Sequence, residues 1–204
     1  KLPLGSPQAR GKAMVNLLPL EEGEFITTVM PLPEDEESWE ELFAMFSTRI
    51  GNIRRNLLSD FVNIKANGKI AMKLEEGDVL VDVQVCTEND DVLLATRNGM
   101  CIRSAVTDVR VFSGRTSTGV RGIRLGSGDE VISMSILQHM DVETDMRDEY
   151  LRAASALRRA GEDDGGGAEE RSSDVPAEDF ERLSDAEQFI LTVTERGFGK
   201  RSSA

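Results

Sequence analysis

Positively charged side chains recur at fixed distances from glycines in this sequence. Arg55, Arg103 and Arg201 each lie four residues after a glycine. The stretch "TGVRGIRLGSGDEV" (118–131) holds four glycines and two arginines, so that it looks like a phosphate-binding loop. A nucleotide-binding loop is disfavoured, because no Gly-Lys-Ser/Thr follows and a strand rather than a helix is predicted next. Cations repeated along a path suit the repeated phosphates of a nucleic-acid backbone better.

The candidate phosphate-binding residues form two groups. Arg54 and Lys200 join the recurring arginines of the first group, and the second group lies beside glycine-rich stretches. The full set is Arg10, Lys12, Arg54, Arg55, Lys65, Lys69, Lys73, Arg103, Arg115, Arg121, Arg124, Lys200 and Arg201. Lys73 and Arg124 occupy matching positions of two such stretches. As an alternative, the recurring arginines pair with Asp60 or Asp108, which lie nine residues after two of the glycines.

Catalytic constellations are not evident in this sequence. No Ser/His/Asp set, paired carboxylates or metal-ligand cluster occurs at an interpretable spacing, and His139 is the only histidine. Cys86 and Cys101 are too few and too isolated for a zinc site or a disulfide framework, and we expect both to be buried. We therefore expect a binding segment with no catalytic residue, metal or cofactor of its own.

The glycine-rich stretches are copies of one element. "GVRGIRLGSGDEVISMSI" (119–136) aligns without a gap with "GKIAMKLEEGDVLVDVQV" (68–85), and "GKAMVNLLPLEEGEFITTVM" (11–30) is a third, longer copy. We expect Gly77 and Gly128 to supply positive backbone dihedrals at turns. Gly119 and Gly122 have a second interpretation, in which their backbone N–H groups approach phosphate.

A second element alternates with the first. Its copies are "AMFSTRIGNIRRNLLSDF" (44–61), "VLLATRNGMCIRSAVTDV" (92–109) and "ILTVTERGFGKRSSA" (190–204), each with a threonine three residues before the turn glycine. Short apolar runs on either side of a glycine turn predict β-hairpins. The first two turn glycines are 48 residues apart, which is near the length of a four-stranded propeller blade. The fold class predicted is therefore all-β, with propeller-like blades of about 50 residues.

Charge divides the 204-residue chain into a body and two acidic segments. The formal net charge is −13, but residues 138–187 hold 16 acidic and 6 basic side chains and residues 31–41 hold 6 acidic and none basic. The rest is mildly basic, so that the overall charge does not exclude a nucleic-acid partner. Trp39, within the acidic 31–41 loop, is expected to be a packing anchor. No apolar run is long enough to span a bilayer, so we expect a soluble protein without a membrane partner.

The segment 140–187 interrupts the repeats as an acidic insertion. Residues 142–161 have helical composition, with Met146, Leu151, Ala154 and Leu157 spaced for one apolar face. Residues 162–174 resemble a mobile linker, and Pro176 is expected to open a short helix before strands resume at Phe189. We expect blades over 1–139, the insertion over 140–187 and a further blade beginning at 188–204. The insertion is either a solvated excursion or an acidic segment that competes with DNA for the basic surface.

The alternation of these elements resembles the C-terminal domain of DNA gyrase A, from the bacterial type II topoisomerases. The segments "ARGKAMVNLLPLEEGE", "ANGKIAMKLEEGD" and "TGVRGIRLGSGDEV", joined by hairpins such as "LLATRNGMCIRS", carry the resemblance. It implies a β-pinwheel, a propeller-like domain with exchanged strands, whose basic perimeter bends double-stranded DNA. The basic heptad that marks gyrase, Gln-Arg-Arg-Gly-Gly-Lys-Gly in type, has only a degenerate counterpart in "QARGK" (8–12).

The resemblance also implies the setting in which this segment works. The parent would be an ATP-dependent, cytoplasmic, chromosome-associated topoisomerase that introduces negative supercoils, with DNA gyrase B and the rest of the gyrase A protein as partners. ATP and Mg would be cofactors of that holoenzyme, and the DNA-cleaving tyrosine would lie in another domain, so that Tyr150 is not assigned to it. The alternatives are the corresponding C-terminal domain of topoisomerase IV and a propeller-type scaffold for protein interactions.

Overall fold

The structure, a computed structural model, describes residues 4–65, 67–162 and 175–204. The chain forms two compact units, residues 1–136 and 137–204. The strands are β1 (Phe43–Thr48), β2 (Asn52–Leu57), β3 (Leu80–Cys86), β4 (Asp90–Thr96), β5 (Cys101–Ala105), β6 (Val120–Arg121), β7 (Val131–Gln138), β8 (Phe189–Val193) and β9 (Gly199–Ser203). The helices are α1 (Thr144–Glu162) and α2 (Ala177–Ala186), with short 3-10 turns at Met14–Asn16, Glu36–Glu40, Leu58–Phe61 and Val106–Asp108. The prediction of an all-β repeat with a helical insertion is confirmed.

Three antiparallel hairpins form where the second element recurs. They are hairpin 1 (β1 and β2), hairpin 2 (β4 and β5) and hairpin 3 (β8 and β9). In each turn the glycine has a positive φ, namely 88° at Gly51, 82° at Gly99 and 82° at Gly197. The recurring threonine accepts a hydrogen bond through Oγ1 from the backbone N–H that follows this glycine, at 3.1–3.3 Å. The repeated Thr and Gly are therefore the chemistry of one turn.

The glycine-rich elements accept hydrogen bonds from the turns of hairpins 1 and 2 through their aspartates. The Asp78 Oδ1 atom accepts the backbone N–H of Ile50 in hairpin 1 at 3.1 Å, and the Asp129 Oδ1 atom accepts that of Asn98 in hairpin 2 at 3.0 Å. Asp78 and Asp129 are matched positions of the repeat, and the glycines just before them, at 77 and 128, have φ of 78° and 74°. The structural role expected for these glycines is confirmed, and the aspartates explain why the two elements recur together.

The four-stranded sheet has the order β3-β1-β2-β6, so that hairpin 1 is flanked on both sides by glycine-rich elements. β6 belongs to the element that continues into β7, and β7 pairs with β4 of the next sheet, whose order is β5-β4-β7. The Gln84 side chain, on β3, links the two sheets: its Nε2 donates to the Met134 carbonyl at 2.9 Å and its Oε1 accepts from the Ile136 N–H. Successive blades thus share a strand segment as well as packing on each other.

Among the described residues of the unit 1–136, the buried apolar side chains form two clusters. Met45 and Val131 belong to the cluster that the two sheets share, and it also holds Cys86, whose burial raises the pKa of the thiol to about 12. Trp39 belongs to the second cluster and donates from its indole Nε1 to the Pro33 carbonyl at 3.0 Å. The prediction that Trp39 anchors the acidic loop is confirmed.

The two cysteines differ in exposure. Cys86 is buried on β3, as expected. The prediction that Cys101 is buried is wrong, because this residue lies exposed on β5, the outer strand of its sheet. An outer strand has a neighbouring strand on one side only, and the composition of the sequence does not reveal which strand takes that place.

The helical insertion has an apolar cluster of its own within residues 137–204. Tyr150, Ala154, Val175 and Leu183 are its buried members. Leu157, expected on the apolar face of α1, is 62% exposed, and Tyr150 occupies that face instead. The second helix and the return of strands at position 189 are confirmed. The expected linker lies mostly outside the described residues.

Glu187 joins this cluster to hairpin 3. It accepts hydrogen bonds from the Tyr150 hydroxyl at 2.9 Å and from Arg158 Nη1 at 2.8 Å. Burial opposes ionisation of Glu187, but hydrogen bonds from Ser203, Arg158 and Tyr150 outweigh it and hold the pKa of this carboxyl below its usual value. The described helices of the insertion therefore pack together, and the Glu187 carboxylate organises the contact with β9.

Substitution of Gly119 tests the close approach of the shared strand segment to hairpin 1. A Cβ at Gly119 would lie 2.3 Å from the Ile53 carbonyl oxygen, whereas one at Gly68, the matched glycine, would meet none of the described residues within 4 Å. Both have positive φ, 89° and 78°. We expect Gly68→Ala to lower the free energy of unfolding by about 1–2 kcal/mol and Gly119→Ala by at least about twice that amount, because only the latter adds a clash. Urea unfolding followed by the fluorescence of Trp39, the sole tryptophan, measures both, and equal losses would contradict the close approach.

Substitution of Glu187 tests its contribution to the helical element through the pH dependence of stability. Because its folded pKa lies below its unfolded pKa, its contribution is complete above the unfolded value and is lost as pH falls through the folded value. We expect Glu187→Gln to lower stability at pH 7 by about 1–2 kcal/mol and to make the loss of stability on acidification smaller than in the unmodified chain. Urea unfolding at pH 7 and pH 4, followed by circular dichroism of the helices, measures this. The control is Glu181→Gln, an exposed carboxyl of α2; the same pH response in both variants would contradict the role of Glu187.

Candidate nucleic-acid interface

The recurring arginine of each hairpin reaches across its own hairpin to one matched position, eight residues before the turn glycine. The guanidinium carbon of Arg55 lies 4.6 Å from the centroid of the Phe43 ring, and that of Arg201 lies 4.1 Å from the centroid of the Phe189 ring. In hairpin 2 the corresponding residue is Asp91, and Arg103 Nε donates to its carboxylate at 2.7 Å. The repeat of this arginine is therefore explained by a contact inside each hairpin, either cation–π or an ion pair.

Arg54 and Arg55 do not belong to an exposed surface. They are 0% and 5% exposed. Arg54 Nε donates to the Asn56 side chain at 2.7 Å, and its Nη1 donates to the Ser117 carbonyl at 2.5 Å and to the Ser117 hydroxyl at 3.1 Å. Arg54 thus ties hairpin 1 to the segment that precedes β6. The prediction that Arg54 and Arg55 face DNA is wrong, because both guanidinium groups are inside the blade.

The alternative, ion pairs of the recurring arginines with Asp60 or Asp108, gives way to the other contacts that the structure shows. Both acids lie in the 3-10 turns that follow hairpins 1 and 2. The Asp60 carboxylate accepts from the Asn56 side chain at 3.2 Å, and the arginine of hairpin 2 pairs with Asp91. The Asp60 carbonyl oxygen instead accepts from Lys69 Nζ at 2.5 Å and from Arg115 Nη1 at 3.2 Å. These last two side chains are therefore half-buried candidates that converge on one corner.

The remaining candidates are exposed side chains. Six of them lie in residues 1–136 and one lies in hairpin 3: Arg10, Lys12, Lys65, Lys73, Arg121, Arg124 and Lys200. Lys73 and Arg124, which match in the repeat, are both exposed, so that the repeat places a cation on the surface twice. The Lys73 backbone N–H donates to the Ser117 carbonyl at 3.3 Å, which brings two glycine-rich elements side by side. The six side chains in residues 1–136 form the candidate interface of that unit, and Lys200 is a separate candidate in hairpin 3.

Gly119 and Gly122 pack against protein rather than leave room for phosphate. A Cβ at Gly122 would lie 2.8 Å from the Ile53 side chain, and the Gly122 N–H donates to the Gly51 carbonyl at 2.8 Å. This N–H is therefore occupied. The interpretation of these two glycines as a phosphate-binding backbone is replaced by one in which they allow β6 to cross hairpin 1 closely.

Sequence reasoning missed Arg110. This residue is exposed, and its guanidinium carbon lies 3.9 Å from the centroid of the Phe112 ring, where Arg54 also lies at 4.9 Å. Arg110 has no counterpart at the matched position of hairpin 1, so that repeat alignment alone could not select it. The spacing Arg-Val-Phe, which puts both side chains on one face of an extended segment, was the available signal.

Hairpins, shared strands and the turn glycines define a propeller-type repeat. A family model described as "DNA gyrase C-terminal domain, beta-propeller" matches residues 1–33, 43–87, 90–138 and 188–204, and the chain belongs to this family. Residues 34–42, which hold the carboxylates of the acidic 31–41 loop, lie outside the match, as do residues 88–89 and the helical segment 139–187. The chain is also 50% identical over 218 residues to the DNA gyrase A protein of Granulibacter bethesdensis, and 40% identical over 136 residues to that of Escherichia coli.

These relatives are much longer than the chain. The alignment with the Granulibacter protein covers all of this chain and 23% of the relative, and the one with the Escherichia coli protein covers 67% of this chain and 15% of the relative. Two solved structures show the same fold: the C-terminal domain of DNA topoisomerase IV (TM-score 0.57, 24% identity, 64% of this chain and 40% of that one) and the DNA gyrase A C-terminal domain (TM-score 0.54, 22% identity, 63% and 41%).

Variants of Arg54 and Arg124 distinguish an arginine that stabilises the fold from an arginine on the surface. Arg54→Met leaves the Asn56 and Ser117 acceptors without their donor, and we expect a loss of about 3 kcal/mol in the free energy of unfolding. Arg124→Met removes an exposed charge and is expected to change stability by less than about 0.5 kcal/mol. Urea unfolding followed by Trp39 fluorescence measures both variants. Similar values for the two would show that Arg54 is not the polar anchor between hairpin 1 and Ser117.

Proposed function

We propose that this chain is the DNA-binding and DNA-wrapping segment of a DNA gyrase A protein. The observation that carries the proposal is the exposed pair Lys73 and Arg124 on matched positions of successive blade elements in a chain of the gyrase C-terminal family. The other exposed candidates extend the proposed contact set, namely Arg10, Lys12, Lys65, Arg121 and Lys200. Four candidates that already have a partner within the protein remain secondary members: Lys69, Arg103, Arg115 and Arg201.

Wrapping requires cations along a curved path and does not require groups that read bases. Bending a site of 20–30 bp through 40–90° costs about 1–6 kcal/mol, and the extra backbone contacts that the bend permits must offset this cost. A blade repeat supplies such contacts at regular intervals, in the way that nucleosomal DNA is held by backbone contacts and deformability. We infer that the blades hold DNA through its phosphates and bend it without regard to sequence.

The activity of the whole protein is part of the same proposal, since the chain spans 23% of the length of the Granulibacter relative. We infer a cytoplasmic, ATP-dependent type II topoisomerase, in which the rest of the gyrase A protein and DNA gyrase B supply DNA cleavage and ATP hydrolysis with Mg. Wrapping by this segment would cross one stretch of the DNA duplex over another with a fixed handedness. This crossing would favour the introduction of negative supercoils. Gyrase is favoured over topoisomerase IV, because the matching family model is that of the DNA gyrase C-terminal domain and a gyrase A relative is 50% identical over this whole chain.

Binding and bending can be tested separately on this chain. A duplex of about 60 bp with a donor dye at one end and an acceptor at the other is much shorter than the persistence length of DNA, so that its ends stay apart unless a protein bends it. We expect energy transfer to rise on adding the chain, and affinity to be higher for this duplex than for one of about 20 bp. Binding without energy transfer would reject wrapping. Absence of binding, or binding independent of salt, would favour a scaffold for protein contacts.

The double variant Lys73→Met/Arg124→Met tests the matched cations. We expect it to lower the slope of log affinity against log salt by about 2, since each phosphate contact contributes about 0.9. The control is Arg147→Gln/Arg182→Gln, which removes the same charge from exposed positions of α1 and α2. Fluorescence anisotropy of the labelled duplex over a series of KCl concentrations measures the slopes. If the control lowers the slope equally, the effect is one of net charge and the proposed contact set is wrong.

A further inference from the structure

A corner beside hairpin 1 brings together four cations and one acid, Asp60. The corner is the 3-10 turn Leu58–Phe61, and its Asp60 carbonyl oxygen accepts hydrogen bonds from both Lys69 Nζ, at 2.5 Å, and Arg115 Nη1, at 3.2 Å. Two positively charged groups thus meet at one neutral acceptor. The two like charges disfavour each other even at a protein surface, and the Asp60 carboxylate supplies a single negative charge to offset them.

Two more guanidinium groups complete the corner. Arg54 and Arg110 both lie over the ring of Phe112, with guanidinium carbons 4.9 Å and 3.9 Å from the ring centroid. Burial lowers the pKa of the Arg54 guanidinium, the charge of Arg110 lowers it further, Asp60 raises it and Arg115 lowers it. Arg54, Arg110 and Arg115 therefore share one electrostatic environment, in which Asp60 is the acid.

The internal contacts leave part of this donor capacity unused. Arg54 is fully buried, and within the described part of the chain its Nη2 atom has no hydrogen-bond partner; the same holds for the buried Nε of Arg115. The Asp60 carboxylate is itself engaged by the Asn56 side chain. The corner thus has an excess of positive charge and of N–H donors, which a compact oxyanion with several acceptor oxygens would satisfy.

We propose that this corner, formed by Lys69, Arg110 and Arg115 above the buried Arg54, is a binding site for a phosphate-type oxyanion. Lys69 and the two arginines next to the surface supply the hydrogen bonds, and Arg54 adds charge from beneath. The phosphate is either a backbone phosphate of DNA, in which case the inference rests on the proposed function, or a free phosphate ion that neutralises the corner. The site joins two elements of the repeat, since Lys69 comes from one and Arg115 precedes the next.

Inorganic phosphate tests the site without DNA. We expect phosphate to raise the unfolding temperature of the chain by several degrees more than chloride at equal ionic strength, as a ligand that binds only the folded state does. Lys69→Met and Arg110→Met should each reduce this response to roughly half or less, and Lys69→Arg should retain it. The control is Arg152→Met, an exposed arginine of α1 outside the proposed contact set, which should respond as the unmodified chain does. Because the readout is the difference between two salts, a change in basal stability does not affect it.

Two outcomes would overturn the site: a phosphate response no larger than that of chloride, or an equal response in all four variants. Salt-dependent DNA binding then identifies the source. If Lys69→Met and Arg110→Met each lower the salt slope by about 1, the anion is a phosphate of DNA. If they leave the slope unchanged while losing the response to inorganic phosphate, the site takes the free ion. A chain that responds to phosphate but binds no DNA would reject the proposed function and support the site alone.

Discussion

The contact on which this structure most depends is the close approach of Gly119 to the backbone of Ile53. The strand that pairs with β2 must cross hairpin 1 before it continues into the sheet of hairpin 2, and only a residue without Cβ fits against the Ile53 carbonyl with the observed positive φ. The Gly122 N–H, which donates to the Gly51 carbonyl, fixes the next step of the crossing. Because one segment contributes to two sheets, the spacing between blades is set by backbone hydrogen bonds as well as by apolar packing.

The arginines of the chain divide between holding the blades and facing solvent. Arg55, Arg103 and Arg201 recur because each hairpin uses a long cation to cover the residue at its open end, an aromatic ring in two hairpins and a carboxylate in the third. Arg54 is committed to a buried polar network that would be costly to leave incomplete. The cations available to a polyanion are therefore mostly those of the glycine-rich elements, where they lie exposed.

The acidic segments are held differently from each other. The 31–41 loop carries three of its six acidic side chains on a 3-10 turn that contains Trp39, whose ring lies in the apolar cluster of β1 and β3. The insertion places Tyr150 and Leu183 in an apolar cluster and uses Glu187 to contact both helix and hairpin. Tyr150, Ala154 and Leu183 of these helices are buried against one another, whereas Leu157 is exposed, and the role of the insertion stays a prediction.

The sequence by itself determined the repeat, the hairpins, the turn glycines and the place of the helices, because these depend on local rules: positive φ at glycine, alternation in strands and helical periodicity. It also determined that cations recur. Only the tertiary structure decided which cations are exposed, since the burial of Arg54 and the pairing of Arg103 depend on residues up to 63 positions away or on the opposite strand. The spacing from a turn glycine determines the backbone position of each arginine. The surroundings of its guanidinium group are determined by the segment that packs against it, and an alignment of repeats does not identify that segment.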